Sequence, residues 1–211
     1  MKRMKYVPPK IFQKVFSKTI WESKVEKILF TFDDGPNLET TGLILEQLKL
    51  HSIKAIFFCV GENVERNPEL SKRIIEDGHT IANHTISHKD INFFNKNVNY
   101  QIESCSKIIE EVVGEKPRYF RPPHGQIGLK TEKFMSKNNL INVMWSLLTY
   151  DYKNDFNIVK FAVDKYLMNN SIIVLHDSLK SKKIIGKSID YIVEKSKQNG
   201  FEIGEPSECL K

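Results

Sequence analysis

The sequence predicts an α/β fold, a nearly closed β/α barrel of about seven parallel strands. Three observations lead there. Short apolar runs rich in β-branched and aromatic residues alternate with amphipathic stretches of helical period, the pattern of βα units around a parallel sheet. Polar residues that carry chemistry fall at or just after the ends of those runs: Asp33-Asp34, His84, Arg121, Asp151 and His176. Barrels and doubly wound sheets place functional groups there. No repeat, low-complexity tract or Gly/Ser linker divides the 211 residues, a length suited to one domain with a sizeable core. An open doubly wound sheet fits the same pattern.

The elements follow in order. Residues 1–22 differ in character from 23–211 and are set apart as a basic amphipathic extension ahead of the main domain. After Pro8-Pro9, the stripe Ile11, Phe12, Val15, Phe16 and Ile20 lies beside a row of Lys10, Lys14 and Lys18, which predicts a helix. Such a helix either docks on its own domain or lies on a membrane surface, so residues 10–21 are a candidate for peripheral membrane contact. Strands are predicted at 28–32, 55–60, 80–82, 119–120, 141–145, 172–175 and 201–203. Helices are predicted at 40–50, 68–76, 101–113, 131–138, 158–168 and 185–197. Asn67-Pro68 offers an N-cap and first-turn pair for the second of these, with Gly78 as its stop. Gly114 stops the third.

Composition narrows the function classes. Charged residues make up 27% and hydrophobic ones 40%, ordinary for a globular protein. The net charge of +6 is spread along the chain, with no basic block or interleaved aromatic signature for nucleic acid, so none is expected as a partner. Cys59, Cys105 and Cys209 are far apart, without a C-x-x-C pair; a disulfide framework or thiolate zinc site is not expected. Cys59 reads as a core residue. No apolar run is long enough to span a bilayer. Lys2, Arg3 and Lys5 are followed by no apolar leader segment, so the expectation is a cytoplasmic protein.

The chemistry starts at Ile28-Leu29-Phe30-Thr31-Phe32-Asp33-Asp34-Gly35-Pro36, an apolar strand that ends in two adjacent carboxylates. Two like charges at a buried strand end need a metal or a cation. His84 and His88, four apart, would point the same way on a helical turn. Two imidazoles and one carboxylate, with Asp34 the natural choice, leave an open position on zinc, as catalytic sites require. Asp33 is then free to act as general base. Either aspartate could instead cap the Gly35-Pro36 turn, and the residues leave their order open. His176 ends an apolar strand and suits a general acid, with Asp151 to hold its ring. Arg121-Pro122-Pro123-His124-Gly125 is stiff enough to hold an arginine against a carboxylate and to aim a backbone N–H at an oxyanion.

Thr31-Phe32-Asp33-Asp34-Gly35-Pro36, His84-Thr85-Ile86-Ser87-His88, Arg121-Pro122-Pro123-His124-Gly125, Asp151-Tyr152 and Leu175-His176-Asp177, in this order, resemble the five motifs of the polysaccharide deacetylase family. That family carries the NodB homology domain and forms carbohydrate esterase family 4. The resemblance implies a distorted, incomplete barrel and a divalent metal, commonly zinc, with cobalt, nickel or manganese also suited to such a site. It implies Asp34, His84 and His88 as metal ligands, Asp33 as base and His176 as acid. Arg121 would orient Asp33, Asp151 would tune His176, and the His124 backbone N–H would stabilise the oxyanion. Pro122, Pro123, Tyr152 and Leu175 would bind substrate, Leu175 lining the pocket for the acetyl methyl. Two residues depart from the family pattern: His124 stands where tyrosine is usual and Tyr152 where tryptophan is usual.

The function expected is hydrolysis of the N-acetyl amide of an amino sugar, such as N-acetylglucosamine in chitin-like or peptidoglycan-like glycans, to free amine and acetate. A cytoplasmic de-N-acylase acting on a small amide or on a lipid- or nucleotide-linked sugar is the alternative. A carbohydrate-binding relict without turnover ranks below both.

Overall fold

The computed structural model describes residues 6–89 and 98–211. Lys2, Arg3 and Lys5 lie outside them. Helix α1 (Lys10–Val15) precedes strand β1 (Lys27–Asp33), followed by α2 (Thr41–Leu50), β2 (Ile56–Cys59), α3 (Gly61–Arg66), α4 (Pro68–Glu76) and β3 (Thr80–Asn83). Next come α5 (Val98–Val113), β4 (Tyr119–Phe120), α6 (Leu129–Lys137), β5 (Ile141–Asn142) and β6 (Leu147–Leu148). The chain continues through α7 (Phe156–Tyr166), β7 (Ile172–His176), α8 (Ile185–Gln198), β8 (Glu202–Ile203) and α9 (Pro206–Cys209).

Strands β1 to β7 run parallel in the order β5-β4-β3-β2-β1-β7-β6, and β8 pairs with the start of β1 off this path. Because β5 and β6 are consecutive, the segment 141–148 pairs with β4 at its beginning and with β7 at its end. The seven strands therefore curl into a distorted barrel. The strand expected at 141–145 ends at Asn142, and β6 at Leu147–Leu148 lies beyond the expected span; between them the chain turns the Val143 and Met144 carbonyls inward to Arg121.

Alternation along the strands sorts the core into two layers. Phe30, Phe32, Phe57, Ile173 and Leu175 face the helices, where Ile44, Leu45, Leu48, Ile109, Val159 and Ile189 meet them. Leu29, Ile56, Phe58, Ala82 and Ile172 face the inside of the curl, plugged by Cys209 and Leu210. All three cysteines are free and buried. Above the inner layer, the same face continues to Thr31, Asp33, Val174 and His176, so the mouth of the barrel is where polar groups emerge.

Local signals explain some helix ends. Gly78 and Gly114 follow α4 and α5 with φ of 81° and 83°. Pro68 opens α4, but Asn67 does not cap it through its side chain; its Nδ2 donates instead to the Asn63 carbonyl, 3.0 Å away. Helix α3 escaped the sequence reading because six residues, GENVER, hold too little apolar period to announce it.

The amphipathic stripe of the N-terminal segment divides. Ile11, Phe12 and Val15 are exposed on α1, whereas Phe16 and Trp21 are buried against Met144. The helix stops at Val15, short of the expected 10–21 span. Among the described residues no helix is long and apolar enough to cross a membrane.

Phe57 is fully buried and stacks on Phe32, ring centroids 5.1 Å apart. Phe57→Ala should cost about 3–5 kcal/mol through lost burial and the cavity left behind. A urea titration checks this: the midpoint should fall with the slope unchanged.

Candidate metal centre and active site

Asp33 and Asp34 leave β1 in different directions. Asp33 is the last strand residue and keeps its inward direction, whereas Asp34 has φ of 82°, a left-handed conformation uncommon for a residue with a side chain. Its carbonyl accepts from Asn63 Nδ2 at 2.7 Å. The following turn packs on Asp177. A Cβ on Gly35 would overlap the Asp177 carboxylate, so glycine is required there. Asp177 in turn accepts from Thr40 Oγ1 at 2.5 Å and Thr41 Oγ1 at 2.6 Å, and its backbone N–H donates to the Asp33 carbonyl at 2.8 Å. Burial pushes the Asp177 carboxyl up to about 7, against the lowering effect of the two threonine hydroxyls.

The histidines come from the segment after β3. It is no helical turn: Thr85 and His88 have φ of 68° and 53°. The segment is tied down from both sides. The first N–H groups of α3, at Gly61 and Glu62, donate to the Thr85 and Ile86 carbonyls at 3.0 and 2.9 Å. Asn83 Oδ1 accepts from the Thr85 N–H at 2.8 Å, and the Ile86 N–H donates to the Gln101 carbonyl of α5 at 2.9 Å.

Asp34, His84 and His88 converge. Their ligand atoms all lie within 4.8 Å of one another, the one such group of His, Cys, Asp or Glu among the described residues. The donor set fits a divalent ion. His84 Nδ1 sits 2.7 Å from the Arg121 carbonyl, which can only accept, so Nδ1 carries the proton and Nε2 is left as a ligand. Burial lowers the His84 pKa despite Asp33 and Asp34, which favours the neutral ring that ligation needs. Burial works against ionisation of Asp34, but the His88 hydrogen bond and the neighbouring histidines outweigh it and hold this carboxyl well below the usual range.

Beside this group lies Arg121, fully buried. Its Nη1 donates to Asp33 Oδ1 at 2.7 Å and Thr31 Oγ1 at 2.8 Å, its Nε to the Val143 carbonyl at 2.9 Å and its Nη2 to the Met144 carbonyl at 2.7 Å. The guanidinium carbon stands 4.0 Å over the Phe58 ring. The second oxygen of Asp33, Oδ2, faces the ligand group, 4.0 Å from His84 Nε2.

His176 is the direct register neighbour of Asp33 across β1 and β7. Its Nδ1 lies 2.7 Å from Asp151 Oδ1, and its backbone N–H donates to Asp151 Oδ2 at 2.7 Å. Asp151 is itself buried and accepts from Thr149 Oγ1 at 3.1 Å.

A family model described as polysaccharide deacetylase matches residues 22–143. The chain belongs to that family. It is 34% identical over 180 residues to a peptidoglycan-N-acetylglucosamine deacetylase of Bacillus cereus, a match covering 82% of this chain and 64% of that protein. A chitooligosaccharide deacetylase of Azorhizobium caulinodans is 34% identical over 154 residues, covering 71% of this chain and 73% of the other. Among solved structures, the Bc1960 peptidoglycan N-acetylglucosamine deacetylase, crystallised with a hydroxamic-acid-type benzamide, superposes with a TM-score of 0.86 at 31% identity, covering 95% of this chain and 96% of that one. The chain spans less than two thirds of the B. cereus relative.

In this member of the family the groups open into a cavity of about 400 Å3, whose walls include His124, Gly125, Trp145, Leu148, Tyr150, Tyr152, Val174 and Lys180. His124 is exposed, with φ of 56°, and sets its ring edge-to-face on His88 at 4.8 Å. The Tyr152 ring meets His176 in the same way at 4.8 Å. Pro122 and Pro123 are buried and do not line the cavity. Nor does Leu175: it faces the helix layer, and Val174 and Leu148 line the wall instead. Strand alternation is the reason, since 174 and 176 share a face that 175 does not. Trp145, Tyr150, Lys180 and the Thr40-Thr41-Asp177 support went unread in the sequence. Only Asp177, inside the Leu175-His176-Asp177 motif, had a signal that could have found it.

Burial alone would lower the His176 pKa, but the Asp151 charge and hydrogen bond raise it to about 9. A folded value above the free value of about 6.5 means that the pair stabilises the fold fully below about pH 6.5 and loses that contribution as pH rises through about 9. Asp151→Asn should lower the imidazole titration, followed by NMR on metal-free protein, because burial is then opposed only by the charges of Asp34 and Asp33. A titration left near the wild-type value would show that Asp151 does not control this histidine.

Proposed function

We propose that this protein is a metal-dependent deacetylase that hydrolyses the N-acetyl amide of an amino sugar, N-acetylglucosamine in a peptidoglycan-like or chitin-like glycan, to free amine and acetate. The observation that carries the reading is the pairing of Asp33 with His176 on adjacent strands, beside the Asp34–His84–His88 group. A base and an acid thus flank one place where an amide carbonyl can be polarised. The names of the relatives, which act on N-acetylglucosamine in peptidoglycan or on chitooligosaccharides, support the substrate class. Trp145, Tyr150 and Tyr152 in the cavity wall suit the apolar faces of sugar rings.

Asp34, His84 and His88 would hold the ion, zinc, cobalt, nickel or manganese being compatible with two imidazoles and a carboxylate. When bound, it supplies Lewis-acid polarisation of the carbonyl and acidifies the attacking water. Asp33 takes the water's proton through Oδ2, since Oδ1 is engaged by Arg121. Arg121 keeps that carboxylate aimed and balances its buried charge. The oxygen that gains negative charge is stabilised in part by the backbone N–H of His124. His176, with Nδ1 bound to Asp151, presents Nε2 and gives its proton to the leaving nitrogen as the carbon–nitrogen bond breaks. Raised to about 9, His176 carries that proton at neutral pH.

Metal-stripped protein refilled with zinc or cobalt should release acetate from N-acetylglucosamine oligomers, and chelation should abolish the release. Asp33→Asn should lower kcat by about 10²- to 10⁴-fold while the protein still binds metal. Acetate release by Asp33→Asn at the wild-type rate would refute the assignment of the base.

A further inference from the structure

Residues 16–21 lie ahead of the segment matched by the family model, which begins at residue 22, and the sequence places them in an extension. Their contacts lead into the active site. Ile20 forms a parallel bridge with Val143. The Ile20 N–H donates to the Asn142 carbonyl at 2.9 Å, and the Met144 N–H donates to the Ile20 carbonyl at 2.8 Å. Asn142 Nδ2 donates to Thr19 Oγ1 at 3.0 Å. Phe16 and Trp21 are buried on Met144, with Trp145 at the edge of the same cluster, and Trp21 Nε1 donates to the Phe16 carbonyl at 3.2 Å.

Of the segment they grip, Asn142 and the Val143 N–H are still held by β4, the latter donating to the Phe120 carbonyl at 2.9 Å, whereas Met144 and Trp145 lie between β5 and β6, outside both strands. The segment supplies the two carbonyls that bind Arg121, and Trp145 in the cavity wall. Arg121 has a further partner in the carboxylate of Asp33. We propose that residues 16–21, through Phe16, Thr19 and Ile20, are a positioning element for the Arg121–Asp33 pair, bracing residues 143–145 on the side away from β4 where the chain passes from β5 to β6. The proposal rests on the reading of Asp33 as the base. The candidate ligands Asp34, His84 and His88 come from other segments, after β1 and β3, and Arg121 meets His84 through its backbone carbonyl, whose peptide is anchored by the Arg121 N–H on the Asn83 carbonyl at 3.0 Å; the element therefore acts on the guanidinium and the base rather than on the metal group.

The chain has two tryptophans, which permits a direct test in the full-length protein. Trp21→Phe keeps an aromatic ring on Met144, leaves Trp145 as the single tryptophan emitter, and is the reference protein for the changes that follow. Phe16→Ala on that background should shift Trp145 emission to longer wavelength and lower kcat about tenfold or more, while KM and zinc affinity stay within about twofold. Exchange of the Arg121 Nε–H with solvent, read by NMR, should quicken about tenfold in the same protein. Thr19→Val, a milder change that keeps the side-chain volume, should move kcat and exchange in the same direction. Unchanged Arg121 exchange in both Phe16→Ala and Thr19→Val would overturn the proposal. So would kcat, zinc affinity and thermal midpoint falling together, the mark of a merely structural role. Absence of acetate release from the wild type would count against the functional reading alone, because the exchange measurement still decides the positioning.

Discussion

A fully buried guanidinium organises this molecule. Arg121 brings a permanent charge into the barrel mouth, where it is tolerable only with a counter-charge and partners for its donors. Asp33 supplies the charge; Thr31, Val143 and Met144 supply oxygens. Its own carbonyl accepts from His84 and so selects the tautomer of a candidate metal ligand. One residue therefore orients the proposed base through its side chain and a proposed ligand through its backbone. Removing it would leave Asp33 as an uncompensated buried charge.

That demand explains the irregular part of the fold. A continuous strand at 141–148 would spend the Val143 and Met144 carbonyls on a neighbour. The segment instead pairs with β4 first and with β7 last, and leaves the middle free to serve Arg121. The N-terminal segment makes up part of the lost pairing through Ile20. The apolar residues 16 and 21 are thus interior to the barrel's support, while Ile11, Phe12 and Val15 on the preceding helix are not.

Two adjacent carboxylates serve different ends because the backbone parts them. Asp33 ends the β1 ladder beside His176, and Asp34 turns away at a φ of 82° toward the histidines. Asp177, under the turn, holds Gly35 and the two threonines in place without entering the cavity. Backbone conformations of this kind are sparse, and they persist where surrounding contacts over-determine them.

The apolar runs were enough to read the alternation of strands and helices and the emergence of polar residues at strand ends, because period and burial are local properties of the chain. Motif spacing likewise placed Asp33, Asp34, His84, His88, Arg121, Asp151 and His176 on one list. Their division of labour was not local. Left-handed residues at Asp34, Thr85 and His88 depend on α3 and α5 packing around them, so the expected helical turn at His84 was wrong. The family resemblance implied Leu175 as a pocket residue, whereas the face on which it falls is set by strand alternation in register with β1. The split at 141–148 and the grip of residues 16–21 on it arise from one buried charge needing oxygens from distant segments. Sequence by itself determined which residues could do this chemistry; only the tertiary structure decided which atoms meet, because a hydrogen bond or a ligand group is set by directions in space that no spacing along the chain records.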